Sequence, residues 1–168
     1  MPELSYEAAR RWRRTLAWLL LSVLVIALDH WTKTLALAYL EYGRPVPVFP
    51  HFDLRLAFNP GAAFSFLADA GGWQRWFFAA AAVGVSGFMV VWLHRLPAGS
   101  RWLPIALTMV IGGALGNLYD RLVYGHVVDF LDFYWGNAHF PAFNIADSAI
   151  TVGAVMLAID ILRNPHEH

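Results

Sequence analysis

The residues able to do chemistry in this chain are few, and most lie in its last third. Asp129 sits in "HVVDF", and Asp147 sits in "FNIADSAI" ahead of the apolar run "SAITVGAVMLAI". Neither has a Lys or Arg within four positions. Two such carboxyls held about 3 Å apart cannot both ionise easily, so one keeps a proton near neutrality. The ionised one can take a proton from water while the protonated one polarises a carbonyl. That is metal-free aspartic peptidase chemistry. A proton relay or a purely structural pairing would use the same two residues, and spacing alone leaves all three readings open. Asp132, three residues after Asp129, is its rival.

Other polar residues fall at helical spacing. Asp29 and Lys33 are four apart, acid first, and share a helix face. They can be a structural pair near a membrane boundary or a prop for a nearby site. Asn117, Asp120 and Arg121 share a face at the end of an apolar run, as a helix-end charge cluster or part of a site. Asn144 lies three residues before Asp147 and is placed on the same helical face. Gly112 and Gly116, with Ala114 between them, permit close helix approach in lipid.

Alternative chemistries find less support. H-E-x-x-H is absent, and His126, Asp129 and His139 lie on a loop without ligand spacing, so no metal is expected. Ser65 and Ser148 lack a G-x-S-x-G setting. There is no phosphate loop, and no cofactor is expected. With no cysteine there is neither a disulfide nor a thiolate site.

The elements that must position these residues follow from composition. The chain has 168 residues, 58% hydrophobic and only 14% charged, against about 25% charged in a soluble domain. Zero net charge suggests no nucleic-acid partner. Four runs approach the roughly 20 apolar residues of a spanning helix: about 15–37, 76–93, 102–118 and 145–162. The expected fold is mainly α, a single membrane-embedded domain over 1–168. "RRWRR" before the first run resembles a secretory signal, but no clear small-residue cleavage site follows, and "DHWTK" can continue the helix.

Arg10, Arg11, Arg13 and Arg14 precede the first run, Arg95 and Arg101 link the second to the third, and Arg163 follows the fourth. This distribution predicts that both termini are cytoplasmic. The stretches near 38–75 and 119–144 then face outward. Trp31, Tyr39, Trp73 and Trp76 suit an interfacial belt. "PVPVFP" disfavours helix. Phe52, Leu54, Leu56 and Phe58 alternate with His51, Asp53, Arg55 and Ala57, which predicts a strand with one apolar face. A small extracytoplasmic sheet on the outer face is expected, with Gly61, Gly71 and Gly72 offering hinges for a lid. Asp160 is 13 residues beyond Asp147, about 20 Å at helical rise, and belongs near the cytoplasmic end.

Taken together, "DHWTK" (29–33), "NPGAAFSF" (59–66), "GGALGNLYDR" (112–121), "HVVDF" (126–130) and "FNIADSAI" (143–150) occur in order across four spans. The chain resembles the bacterial lipoprotein signal peptidase family (signal peptidase II, prolipoprotein signal peptidase) from about residue 15 to 162. The resemblance implies an aspartic endopeptidase of the bacterial inner membrane with its site at the periplasmic face. It would cut diacylglyceryl-modified prolipoproteins just before the lipidated cysteine. The catalytic pair falls on Asp129 and Asp147, not Asp132. Asp29, Lys33, Asn59, Asn117, Asp120, Arg121 and Asn144 match supporting or site-lining positions. Membrane lipid and the cyclic lipopeptide inhibitor globomycin are the other expected partners. His30 stands where the family commonly has Gln, and Pro60 where it commonly has Thr. A small proton-coupled transporter using the clustered aspartates, and a structural membrane protein, remain the alternatives.

Overall fold

A computed structural model describes residues 2–61 and 72–164, with side chains from Tyr6 onward. Ser65, Gly71 and the second half of "NPGAAFSF" lie outside the described residues. Among the described residues four helices run: α1 (Pro2–Tyr39), α2 (Trp73–Arg95), α3 (Trp102–Val123) and α4 (Ile145–Arg163). Each contains a stretch long and apolar enough to cross a membrane. Between them lie β1 (Val46–Phe49), β2 (Phe52–Asn59), β3 (Val127–Trp135) and β4 (Ala138–His139). They form one antiparallel sheet in that order.

All four helices outrun their apolar stretches. The 38 residues of α1 rise about 57 Å, nearly twice a hydrocarbon core of roughly 30 Å. Arg10 to Arg14 are good helix formers, so the helix does not stop where the apolar residues begin. Pro2 suits a first helical position, where its missing N–H is no loss. Helix α3 runs five residues past the predicted end at Leu118. Asn117, Asp120 and Arg121 therefore all lie within it, because protein partners satisfy their side chains.

Helix α3 is the axis of the bundle. Ala106, Leu107, Thr108 and Ile111 are fully buried, whereas α1, α2 and α4 expose Leu20, Phe88 and Val155, as lipid-facing helices do. Glycine permits the close packing. A Cβ on Gly112 would lie 2.8 Å from the Val25 side chain of α1, and one on Gly153 of α4 would lie 2.7 Å from the Ala106 carbonyl oxygen. A Cβ on Gly113 would run into the Ala146 carbonyl of α4. The Gly112/Gly116 reading thus holds, extended to Gly113 and Gly153.

The sheet docks on the end of α1 through Leu56, Val128 and Phe130 against Ala36. The predicted strand is present, but its single apolar face is not. Asp53 and Leu56 are buried, while Phe58 is exposed. A register shift explains this: Leu54 pairs with Leu131 and Ala57 with Asp129, three steps on one strand against two on the other. One extra residue resets which side chains face inward. Strand β1 covers only Phe52 to Leu54. Among the described residues, no strand pairs the outer edge of β2 from Arg55 to Asn59.

Candidate active site

Where α1, α3 and α4 meet the sheet, nine of the singled-out side chains converge. The lowest layer is built on Lys33, which is almost completely buried. Its ammonium has three N–H donors and three acceptors within reach: Asp29 Oδ2 at 2.7 Å, Asp120 Oδ2 at 2.8 Å and Asn117 Oδ1 at 2.9 Å. Asp29 Oδ1 accepts from the Ala146 N–H in the first turn of α4 (2.9 Å), and Asp120 Oδ2 accepts from Val128 N–H of β3 (3.1 Å). One cation thus fastens α1 to α3, while its two carboxylates hold the ends of the elements that carry Asp147 and Asp129. A Cβ on Gly116 would sit 2.8 Å from Asp29 Oδ2, so glycine leaves the room that the carboxylate fills.

Above this lies an asparagine layer. Asn117 Nδ2 donates to Asp147 Oδ1 at 2.7 Å, and Asn144 Nδ2 donates to Asp129 Oδ1 at 2.8 Å. Asn144 is not on a helical face with Asp147, as the spacing had predicted. It is the N-cap of α4, with extended backbone, and forms a reciprocal capping box with Asp147. Asp147 N–H donates to Asn144 Oδ1 at 2.8 Å, and Asn144 N–H donates to Asp147 Oδ2 at 3.3 Å. N-x-x-D before an apolar run is a sequence signature of a helix start, and it would have placed both residues. Asn144 also donates to Asn117 Oδ1 and to the Val128 carbonyl, both at 3.2 Å.

Asp129 and Asp147 line one open cavity of about 720 Å³ with Asn59, Asn117 and Arg121. Its walls are Arg55 and Ala57 to Pro60, Phe140 to Phe143, and Ile150 to Val152 of α4. Neither acid has an ion-pair partner among the described residues. Burial, then the nearby Asp147 charge, push the Asp129 carboxyl up to about 7, against the opposing pull of Lys33 and hydrogen bonds from Asn59 and Asn144. Arg121 faces the acids but is committed elsewhere. It donates to the Gly61 carbonyl at 2.9 Å and the Asn117 carbonyl at 3.2 Å, and it lies over the Phe78 ring. Asn59 Oδ1 accepts from Gly61 N–H at 3.0 Å, so Asn59 and Arg121 together hold the turn after β2. The sequence had offered Gly61 as a hinge, not as a carbonyl partner of Arg121, and no sequence pattern had pointed to Phe78.

Asp132, the rival, is elsewhere occupied: the His139 ring nitrogen lies 2.9 and 3.1 Å from its two oxygens, and Arg55 lies at 3.4 Å. His126 packs against Phe58 and Tyr124, and burial lowers its pKa while the Asp120 charge opposes this. His30 sets its ring edge-on to Tyr119, away from the polar layers.

Fold and site define a multi-pass membrane protein whose carboxylate-lined cavity opens at the sheet end of the helix bundle. The family model described as signal peptidase (SPase) II matches residues 21–163. Relatives named lipoprotein signal peptidase include one from Pseudomonas aeruginosa (strain UCBPP-PA14), 58% identical over 151 residues and 89% of each chain. One from Pseudomonas putida is 57% identical over 94% of this chain and 92% of its own. One from Aeromonas hydrophila is 53% identical over 89% and 90%. A solved structure described as a bacterial membrane enzyme superposes with a TM-score of 0.80 at 30% identity, covering 89% of this chain and 90% of that one. The chain belongs to the signal peptidase II family. It is a peptidase, and the transporter alternative is set aside.

Proposed function

We propose that the whole chain, 1–168, acts as one membrane-embedded aspartic endopeptidase, with Asp129 and Asp147 as its catalytic pair. Its substrates are diacylglyceryl-modified prolipoproteins, cut just before the lipidated cysteine. The observation that carries this reading is the pair itself. Two carboxyls with no cation bonded to either among the described residues line one cavity, each oriented by an asparagine amide.

One shared proton lets a single pair do both halves of the chemistry. The ionised carboxylate takes a proton from water, and the resulting hydroxyl attacks the scissile carbonyl. The protonated carboxyl hydrogen-bonds the carbonyl oxygen as negative charge develops there. When the tetrahedral intermediate collapses, the C–N bond breaks and the amine leaves with a proton from the pair. The raised pKa of Asp129 keeps one proton available near neutrality. The pair titrates as a unit, so neither apparent value belongs to one residue.

The remaining residues position this pair. Lys33, Asp29 and Asp120 fix its foundations, Asn117 and Asn144 aim the carboxyls, and Asn59 and Arg121 hold the turn beside it. The open edge of β2 from Arg55 to Asn59 can receive an extended peptide by strand addition. The α4 wall, with Ile150 and Val152, suits the apolar half of a substrate delivered from lipid. Globomycin, a cyclic lipopeptide, would compete for the same cavity. The arginine distribution supports cytoplasmic termini and a site at the periplasmic face of the inner membrane. An impermeant thiol reagent on spheroplasts should then label a cysteine at Ala138 and spare one at Ala9. The reverse would invert the topology.

The deciding experiment is incubation of the purified chain with a diacylglyceryl-modified preprolipoprotein, with and without globomycin. A gel-mobility shift that the inhibitor abolishes is expected. Absence of cleavage, or cleavage that survives Asp129→Asn, would overturn the reading.

A further inference from the structure

Two arginines line the cavity among the described residues, and they are held very differently. Arg121 is buried and committed to the Gly61 and Asn117 carbonyls. Arg55 is half exposed, and its guanidinium makes one long 3.4 Å approach to Asp132. Asp132 itself is fully buried, and its carboxylate is shared with the His139 ring. It therefore tethers the Arg55 guanidinium from below. Arg55 lines the cavity, and of the five N–H donors in its planar fork only those on Nη1 approach Asp132.

The position of Arg55 along β2 gives it a register. Ala57 is the cross-strand partner of Asp129, and Arg55 is two residues further from the pair, about 7 Å at strand rise. Arg55 to Asn59 form the edge that no strand covers among the described residues. A peptide added along this edge, with its scissile bond at the pair, brings a residue two to four positions from that bond beside Arg55. Chemistry selects which half of the substrate this is. Of the cavity's apolar walls, that of Ile150 and Val152 lies on α4, a spanning helix, and fits the signal sequence and acyl chains. Arg55 lies on the sheet, outside the spans, and meets the chain that leaves the membrane.

We propose that Arg55 forms an anion subsite that reads acidic side chains at the second to fourth residues of the mature lipoprotein, counted from the lipidated cysteine. The proposal rests on the peptidase reading above and adds to it a charge preference on the mature side of the cut. The ligand is a carboxylate, which matches a guanidinium fork in geometry as well as charge. An anionic lipid headgroup offers similar chemistry, so the test must separate the two sources.

The test uses synthetic diacylglyceryl-cysteine prolipopeptides that differ only in carrying Asp, Asn or Lys at each of the three positions. They are presented first in purely phosphatidylcholine vesicles and then in vesicles containing phosphatidylglycerol. The quantity read is the ratio of kcat/KM between peptides for one enzyme, which is insensitive to how much of each variant folds. The parent should favour Asp over Lys at one of the positions by about fivefold, the scale of a half-exposed ion pair. Arg55→Gln should bring that ratio close to one, and Arg55→Glu should turn it in favour of Lys. The proposal is overturned if the parent shows no charge preference, or if Arg55→Glu keeps that of the parent. It is likewise overturned if the Arg55 effect appears only with phosphatidylglycerol and is the same for all three peptides, which would make the site a headgroup contact. Failure of the parent to cut even the Asn peptide would instead count against the peptidase reading.

Discussion

The two acid pairs at the sheet end of the bundle invite comparison. Asp29 and Asp120 share Lys33 between them, and backbone N–H groups fill further acceptor sites on both. Asp129 and Asp147 lie one layer higher, held by asparagine amides that carry no net charge. The first arrangement sets one ammonium and two backbone N–H groups against its two carboxylates and has little hydrogen-bonding capacity left to offer a substrate. The second leaves two acids open to a cavity, where the proposed chemistry has them share one proton. Residue type is the same in both; on the proposed reading, the cation makes one pair structural, and the lack of one bonded to the other among the described residues leaves that pair free for chemistry.

The sharpest way to break this contrast is to remove a carboxylate from the upper pair. Asp129→Asn or Asp147→Asn should reduce turnover by at least the roughly 10²–10⁴-fold typical of acid–base groups, with insertion into the membrane retained. The double variant should be little worse than either single one, since residues acting as a unit are not additive. Asp160→Asn, about 20 Å from Asp147 at helical rise, is the control and should keep most activity. A folded Asp129→Asn enzyme within about tenfold of the parent would remove Asp129 from the pair, because that falls short of the usual acid–base contribution.

In the lower pair the same kind of truncation should act on the fold. Lys33→Met strands two buried carboxylates without their cation. Breaking a buried ion pair from one side destabilises by roughly 3–5 kcal/mol, so protein yield and thermal midpoint should fall along with activity. Loss of activity at an unchanged midpoint would mean that Lys33 serves the chemistry directly.

Much of this layout was legible in the sequence, and its gaps have physical causes. Asp29 with Lys33, and Asn117 with Asp120 and Arg121, could each be grouped because helical spacing puts them on a shared face; that Lys33 joins the two groups depends on how α1 packs on α3. Asp129 and Asp147 stood out because nothing nearby in sequence neutralises them. Asn144 was misplaced on a helical face because hydrophobic periodicity says little about the residue that starts a helix. The capping box says it directly. The face pattern of β2 failed because one inserted residue inverts every side chain beyond it, a change that composition does not register. Span ends ran short because the apolar run marks where lipid ends, whereas the helix continues wherever its polar side chains find protein partners. The Gly61 contact and the Arg55–Asp132–His139 cluster depend on strand register, which one chain's residue order does not contain.

A smaller effect tests the difference in charge between the pairs. The raised pKa of Asp129, about 7 against an ordinary 3.8, means that its buried carboxyl favours the folded state when protonated. That contribution is fully present below pH 3.8 and is lost as pH rises through about 7. Asp129→Asn removes this dependence. The variant should therefore be more stable than the parent at pH 8, by up to about 4 kcal/mol on the linkage relation, with the gap closing as pH falls towards 4. Thermal midpoints in one detergent at both pH values would measure it. An equal gap at both values would mean that Asp129 carries no shifted proton. The activity of the parent should fall on the alkaline side of about 7 for the same reason, as the shared proton is lost.

The last prediction uses two glycines of α3 that touch the two layers separately. A Cβ on Gly116 meets Asp29 Oδ2 at 2.8 Å, the far end of a side chain already pinned by Lys33 and Ala146 N–H. A Cβ on Gly113 meets the Ala146 carbonyl, which is backbone and can yield only by moving the first turn of α4. Gly116→Ala should therefore cost roughly 1–3 kcal/mol of stability, as overpacking commonly does, with the loss centred on the lysine layer. Gly113→Ala displaces the turn that carries Asp147, and a misplacement of about 1 Å can lower turnover by around 10²-fold. Gly87→Ala in α2, where an added Cβ meets nothing within 4 Å, should alter neither. Thermal midpoint and turnover measured on all three variants would separate the layers. If Gly113→Ala lost only stability and kept its turnover, the first turn of α4 would not be what positions Asp147 for chemistry.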